Sequence, residues 1–125
     1  MSYITDRKRA QGHGSAKTGT EHFIAQRMSA VALIPLLILF VIFVAPLIGE
    51  PLDVVKAGFG NFWISLIAAA TVITVGLHLV QGLQVVIEDY INQKFLRALG
   101  LTKMKFGVGF LVLATLWALI VLALG

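Results

Sequence analysis

The chain has 125 residues, 58% of them hydrophobic and 13% charged, with a mean hydropathy of +0.92. Soluble domains carry about twice that share of charge, so a soluble globule is excluded, and the length admits one small domain. There is no cysteine, which rules out disulfides, thiolate metal sites and an iron–sulfur cluster held by this chain. The net charge of +4 matters less than where that charge lies.

Residues 28–49, 57–87 and 106–125 contain no Asp, Glu, Lys or Arg. Each run reaches the ~20 residues that cross ~30 Å of hydrocarbon at about 1.5 Å per residue. Backbone polar groups in lipid must be satisfied within the protein, which leaves helices or a closed barrel. Barrel strands are about ten residues long and alternate in hydrophobicity. These runs are twice that length and do not alternate. The expected fold is therefore an all-α integral membrane protein with three transmembrane helices, at about 28–48, 61–87 and 106–124. The three form one domain over residues 28–125, preceded by a polar segment over 1–27.

That polar segment precedes an apolar run too long for the core of a signal peptide, so no cleavable signal is expected. Residues 1–15 carry Arg and Ser in the manner of a transit peptide, a weaker alternative to a plain cytoplasmic segment. The stretch from Gly12 to Thr18 echoes a phosphate-binding loop. Ala16 stands where glycine normally precedes the lysine, and no strand leads into it, so no phosphate site is expected. In the first span, Pro35 predicts a kink. Pro46 and Pro51 bracket the loop 49–60. Gly58, Gly60, Gly107 and Gly109 lie near helix starts and predict close packing, and Trp63 fits an interfacial anchor better than Trp117.

The basic residues set an orientation. Arg7, Lys8, Arg9, Lys17 and Arg27 precede the first span, and Lys94, Arg97, Lys103 and Lys105 follow the second; only Lys56 lies in the loop 49–60. The positive-inside rule places the N-terminus and the loop 88–105 in the cytoplasm, with loop 49–60 and the C-terminus outside. In an organelle the basic side would be the matrix.

The second span carries the chemistry. On a helical projection Thr71, Thr74, Gln81, Gly82, Glu88 and Asp89 all fall within about 80° of His78. A face that polar meets protein, a cofactor or water rather than lipid. His78 lies about eleven residues before Asp89, roughly 16 Å deeper, near mid-membrane. Imidazole at that depth suits haem iron, and Gly82 leaves room for a flat macrocycle. A hydrogen bond to a Thr or Gln of another helix, or a proton relay, fits the spacing as well. The first and third spans hold no His, so a haem here would be either five-coordinate or completed by a partner subunit.

Two further constellations follow. Tyr90 can donate a hydrogen bond to a quinone carbonyl while Asp89 orients it or passes protons; the bland alternative is an aromatic-belt tyrosine beside two boundary carboxylates. The pattern Gly19-x-x-His22-x-x-x-x-Arg27-x-Ser29-Ala30 opens the first span. Arg27 is expected near the level of Asp89, where it pairs with haem propionates or lipid headgroups, or simply snorkels. His13 and His22 lie outside the membrane runs and say nothing alone.

Together, His78-x-x-x-Gly82-x-x-x-x-x-x-Asp89-Tyr90 in the second of three helices and the upstream pattern through Arg27 resemble the D-type hydrophobic membrane-anchor subunits of succinate dehydrogenase, respiratory complex II. The resemblance covers roughly residues 15–125 and leaves 1–14 without a counterpart. It implies that His78 is an axial ligand of a haem b shared with a companion C-type anchor subunit, as part of a heterodimeric helical bundle. It implies that Tyr90 and Asp89 meet ubiquinone, and that Arg27 and His22 lie near the haem propionates and the quinone site. It further implies iron–sulfur and flavoprotein partners, a bacterial inner membrane, no catalysis by this chain alone and no nucleic-acid partner. A non-redox membrane scaffold or small transporter subunit is the competing reading, in which the polar face is only a helix seam.

Overall fold

Charge ends a hydrophobic run without ending a helix, and the three long helices outrun the apolar stretches that announce them. The computed structural model describes residues 3, 5–12 and 18–125. His13 and most of the stretch that echoes a phosphate loop lie outside the described residues. The elements are α1 (Asp6–Gln11), α2 (Thr18–Phe43), a 3-10 turn (Ala45–Leu47), α3 (Leu52–Phe59), α4 (Phe62–Tyr90) and α5 (Lys94–Leu124). Three helices are long and apolar enough to cross a membrane, and the protein is an all-α, multi-pass membrane protein.

α2 starts about ten residues before the expected boundary, and α5 about twelve. Nothing in either extension breaks a helix. Residues 94–99 (Lys-Phe-Leu-Arg-Ala-Leu) are mostly strong helix formers. The segment 88–105, expected as a loop, is instead the end of α4, a three-residue link and the first turns of α5. Arg97 braces that link, its Nε donating to the Ile91 carbonyl at 2.8 Å. α2 continues through Pro35, which leaves the Val31 carbonyl without its usual helical donor.

The loop 49–60 also folds. Gly49, at φ +88, makes the turn that releases the chain from the 3-10 segment. Pro51 then caps α3, Asp53 lies in its first turn, Lys56 in its last, and Gly60 ends it. Asn61 starts α4 by accepting hydrogen bonds from the backbone of Trp63 at 2.9 Å and Ile64 at 3.4 Å. Trp63 is exposed there, edge-on to Phe62, as an interfacial anchor should be.

α4 is the middle helix. It packs against α2 on one side and α5 on the other, and among the described residues the backbones of α2 and α5 make no close approach. Such a layer encloses little, and the buried cluster of Val44, Phe59 and Ala68 sits at the α3 end. Two polar contacts tie α3 down: Ser65 Oγ donates to the Phe59 carbonyl at 2.5 Å, and Lys56 Nζ to the Gly125 carbonyl at 3.3 Å. Of the glycines expected to pack closely, Gly58 does so, against Leu47, whereas Gly107 and Gly109 face open space because they lie away from α4. The tightest approach is at Gly76, where an added Cβ would lie 2.5 Å from Val112 Cγ2. Gly76 is also the last buried residue of α4; from there to the basic end α4 is half-buried or exposed, while Val108 of α5 stays buried and Gly100 still packs near Ile87.

Candidate functional site

His78 comes two residues after Gly76, the last buried residue of α4. α2 and α4 run antiparallel here, and Ser29 is the tie between them. Its Oγ lies 2.9 Å from His78 Nδ1, 2.9 Å from Gln81 Oε1 and 2.9 Å from the carbonyl oxygen of Gln26. The ring is thus held by a hydroxyl of α2, itself fixed to its own helix one turn back.

The imidazole forms one wall of an open cleft of about 370 Å³, lined also by Phe23, Gln26, Arg27 and Ala30. Arg27 is exposed, with its guanidinium carbon 5.0 Å from the centroid of the Phe23 ring, a cation–π arrangement. The cleft therefore joins a ring nitrogen donor, a fixed positive charge and an apolar wall. Beside it Gly82 meets nothing within 4 Å, so the room expected there is present.

The structure brings His78 and Arg27 together but not Asp89 and Tyr90. From the pairing of Ser29 with His78 and Gln81, Arg27 sits roughly 10 Å along the bundle from Asp89, counting 1.5 Å per residue. The expectation that Arg27 and Asp89 share a level is corrected by this interhelical register. Tyr90 is 83% exposed at the end of α4, and Asp89 beside it is exposed as well. Among the described residues neither side chain has a hydrogen-bond partner. His22 is half-buried on α2, and its Nε2 is enclosed with no partner among the described residues.

The polar face of α4 is less uniform than its projection suggests. Thr71 and Thr74 turn their hydroxyls onto their own helix, at the Ile67 and Ala70 carbonyls, and Glu88 accepts from Gln84 at 2.8 Å. That leaves His78 and Gln81 as the members that reach another helix. Ser29 was quoted in the upstream pattern without a role. The available signal was its isolation, since it is the one polar side chain in residues 28–49.

A family model for the succinate dehydrogenase/fumarate reductase transmembrane subunit matches residues 1–122. The chain is 39% identical over 125 residues to the succinate dehydrogenase hydrophobic membrane anchor subunit of Paracoccus denitrificans, covering all of this chain and 96% of that one. No solved structure matches. The similarity extends through residues 1–14, which the motifs had left without a counterpart, and it decides against an unrelated scaffold or transporter subunit. The chain belongs to the succinate dehydrogenase/fumarate reductase transmembrane-subunit family, as a membrane-anchor subunit of an enzyme complex rather than an enzyme by itself.

Proposed function

We propose that this chain anchors the flavoprotein and iron–sulfur subunits of a succinate:quinone oxidoreductase to a bacterial inner membrane, co-ligates a haem b with a companion C-type anchor and helps form the ubiquinone-reduction site. The observation that carries the reading is the cleft in which His78 and Arg27 stand together, two residues past the last buried residue of α4. The residues fit a haem. His78 Nδ1 is engaged by Ser29, which leaves Nε2 for iron; Arg27 supplies a guanidinium for a propionate; and the open side at Gly82 admits a planar ring.

When bound, the haem would supply a one-electron redox centre. His22 lies roughly 13 Å along the bundle from His78, so the two would not hold the same iron, and a second histidine ligand would be one supplied by the companion chain. His22, whose Nε2 is covered by this chain and has no partner among the described residues, would have to turn its ring outward to meet a propionate or the neighbouring subunit. At the basic end of α4, Tyr90 donates its phenol hydrogen to a quinone carbonyl. Asp89 beside it carries protons as two electrons and two protons convert quinone to quinol. The positive-inside bias sets this end, with the N-terminus, in the cytoplasm.

A reduced-minus-oxidised spectrum of the purified complex tests the reading. A low-spin b-type signal that disappears in His78→Ala, with all subunits still copurifying, supports it. A full signal in that variant refutes the ligand assignment.

A further inference from the structure

The contacts of Ser29 determine more than the position of the ring. A hydroxyl has one proton and two lone pairs. Three atoms stand 2.9 Å from Ser29 Oγ: the Gln26 carbonyl oxygen, Gln81 Oε1 and His78 Nδ1. The Gln26 carbonyl can only accept, so the proton between it and Oγ must be the serine's own. Ser29 then has no proton to give His78, and Nδ1 must bring one.

The outcome is the same for either orientation of the Gln81 amide. With its oxygen toward Ser29, the hydroxyl proton is shared between two carbonyls. With its nitrogen there, Gln81 fills the second lone pair and the hydroxyl points to Gln26. In both cases the lone pair facing the imidazole accepts from an Nδ1–H. Neutral imidazole carries one N–H, so Nε2 keeps its lone pair.

We infer that Ser29 is a positioning residue: it locks His78 in the Nδ1–H tautomer and in the orientation that presents a bare Nε2 to the cleft, with the Gln26 carbonyl and Gln81 fixing the hydroxyl. The inference rests on the haem reading above. It adds a consequence, because a ring that donates from Nδ1 is a more basic ligand and favours the oxidised metal. Loss of the hydroxyl therefore raises the midpoint potential and weakens cofactor retention, about 10- to 100-fold for a partner of this kind.

The test uses the complete membrane complex carrying Ser29→Ala, Ser29→Thr or His78→Ala. Redox titration and low-spin electron paramagnetic resonance are the readouts. Ser29→Ala is expected to raise the potential, shift the g-values and lose haem faster, and Ser29→Thr to restore all three. A redox-difference infrared spectrum of the ¹⁵N-histidine-labelled wild type needs no variant to fold, and is expected to show a hydrogen-bonded Nδ1–H ring mode. An unchanged potential and g-values in Ser29→Ala, a ring mode without that bond, or failure of threonine to restore what alanine shifts would each overturn the inference. Should His78→Ala keep its haem, the parent reading fails instead.

Discussion

A single methyl group at position 76 tests the packing that sets the level of the site. A Cβ there would lie 2.5 Å from Val112 Cγ2, 3.8 Å from Val112 Cβ and 3.9 Å from Val108 Cγ1. Comfortable carbon–carbon contact is about 3.5–4.0 Å. Val112 cannot swing aside, because a β-branched side chain in a helix is confined to one strongly preferred rotamer. Either α4 and α5 separate by about 1 Å or Val112 leaves its rotamer, and overpacking of this kind costs about 1–3 kcal/mol. Alanine returns about 1 kcal/mol as the better helix former. Gly76→Ala should therefore destabilise the complex by up to about 2 kcal/mol. Val112→Ala alone should cost about 1 kcal/mol through lost contact. In the double variant the new methyl occupies the vacated space, so the two effects should couple by about 1–2 kcal/mol. Denaturant-induced unfolding of the four complexes in detergent reads this cycle. If Gly76→Ala is instead more stable than the wild type by the full ~1 kcal/mol of helix propensity, or if the two effects simply add, the close approach of α4 and α5 at this level is wrong.

Two further outcomes follow from the site and the charge pattern. Tyr90→Phe should slow quinone reduction by roughly tenfold, the scale of one hydrogen bond, while succinate oxidation by an artificial acceptor continues; equal loss of both activities would indicate failed assembly. Because the chain has no cysteine, single replacements report topology directly. In intact cells a membrane-impermeant maleimide should label Asp53→Cys and spare Lys103→Cys, and the reverse pattern would invert the proposed orientation.

The three spans were legible because a charge-free run is a local property, and so is the asymmetry of Lys and Arg around them. What escaped was of two kinds. Helix extent was underestimated where the chain leaves the apolar runs: residues 94–105 are helical yet carry Lys94, Arg97, Lys103 and Lys105, which hydropathy counts as loop. α3 was missed in the same way, although Pro51 and Gly60 punctuate its two ends. The second kind is interhelical register. That Ser29 meets His78, that Arg27 lines the cleft of His78 rather than sharing a level with Asp89, and that Gly76 rather than Gly107 or Gly109 is the close contact all depend on how α2 and α5 slide along α4. No local pattern encodes that offset. His78 itself stood out because an imidazole deep in an apolar run is costly unless it has a partner.

The central claim is that His78 binds the haem iron directly, and exchange of the ligand tests it more sharply than deletion. In His78→Met the account predicts a haem that is either lost or retained with an altered low-spin spectrum and a raised potential, as thioether ligation requires. A complex that keeps its full haem complement with the spectrum and potential of the wild type would contradict it.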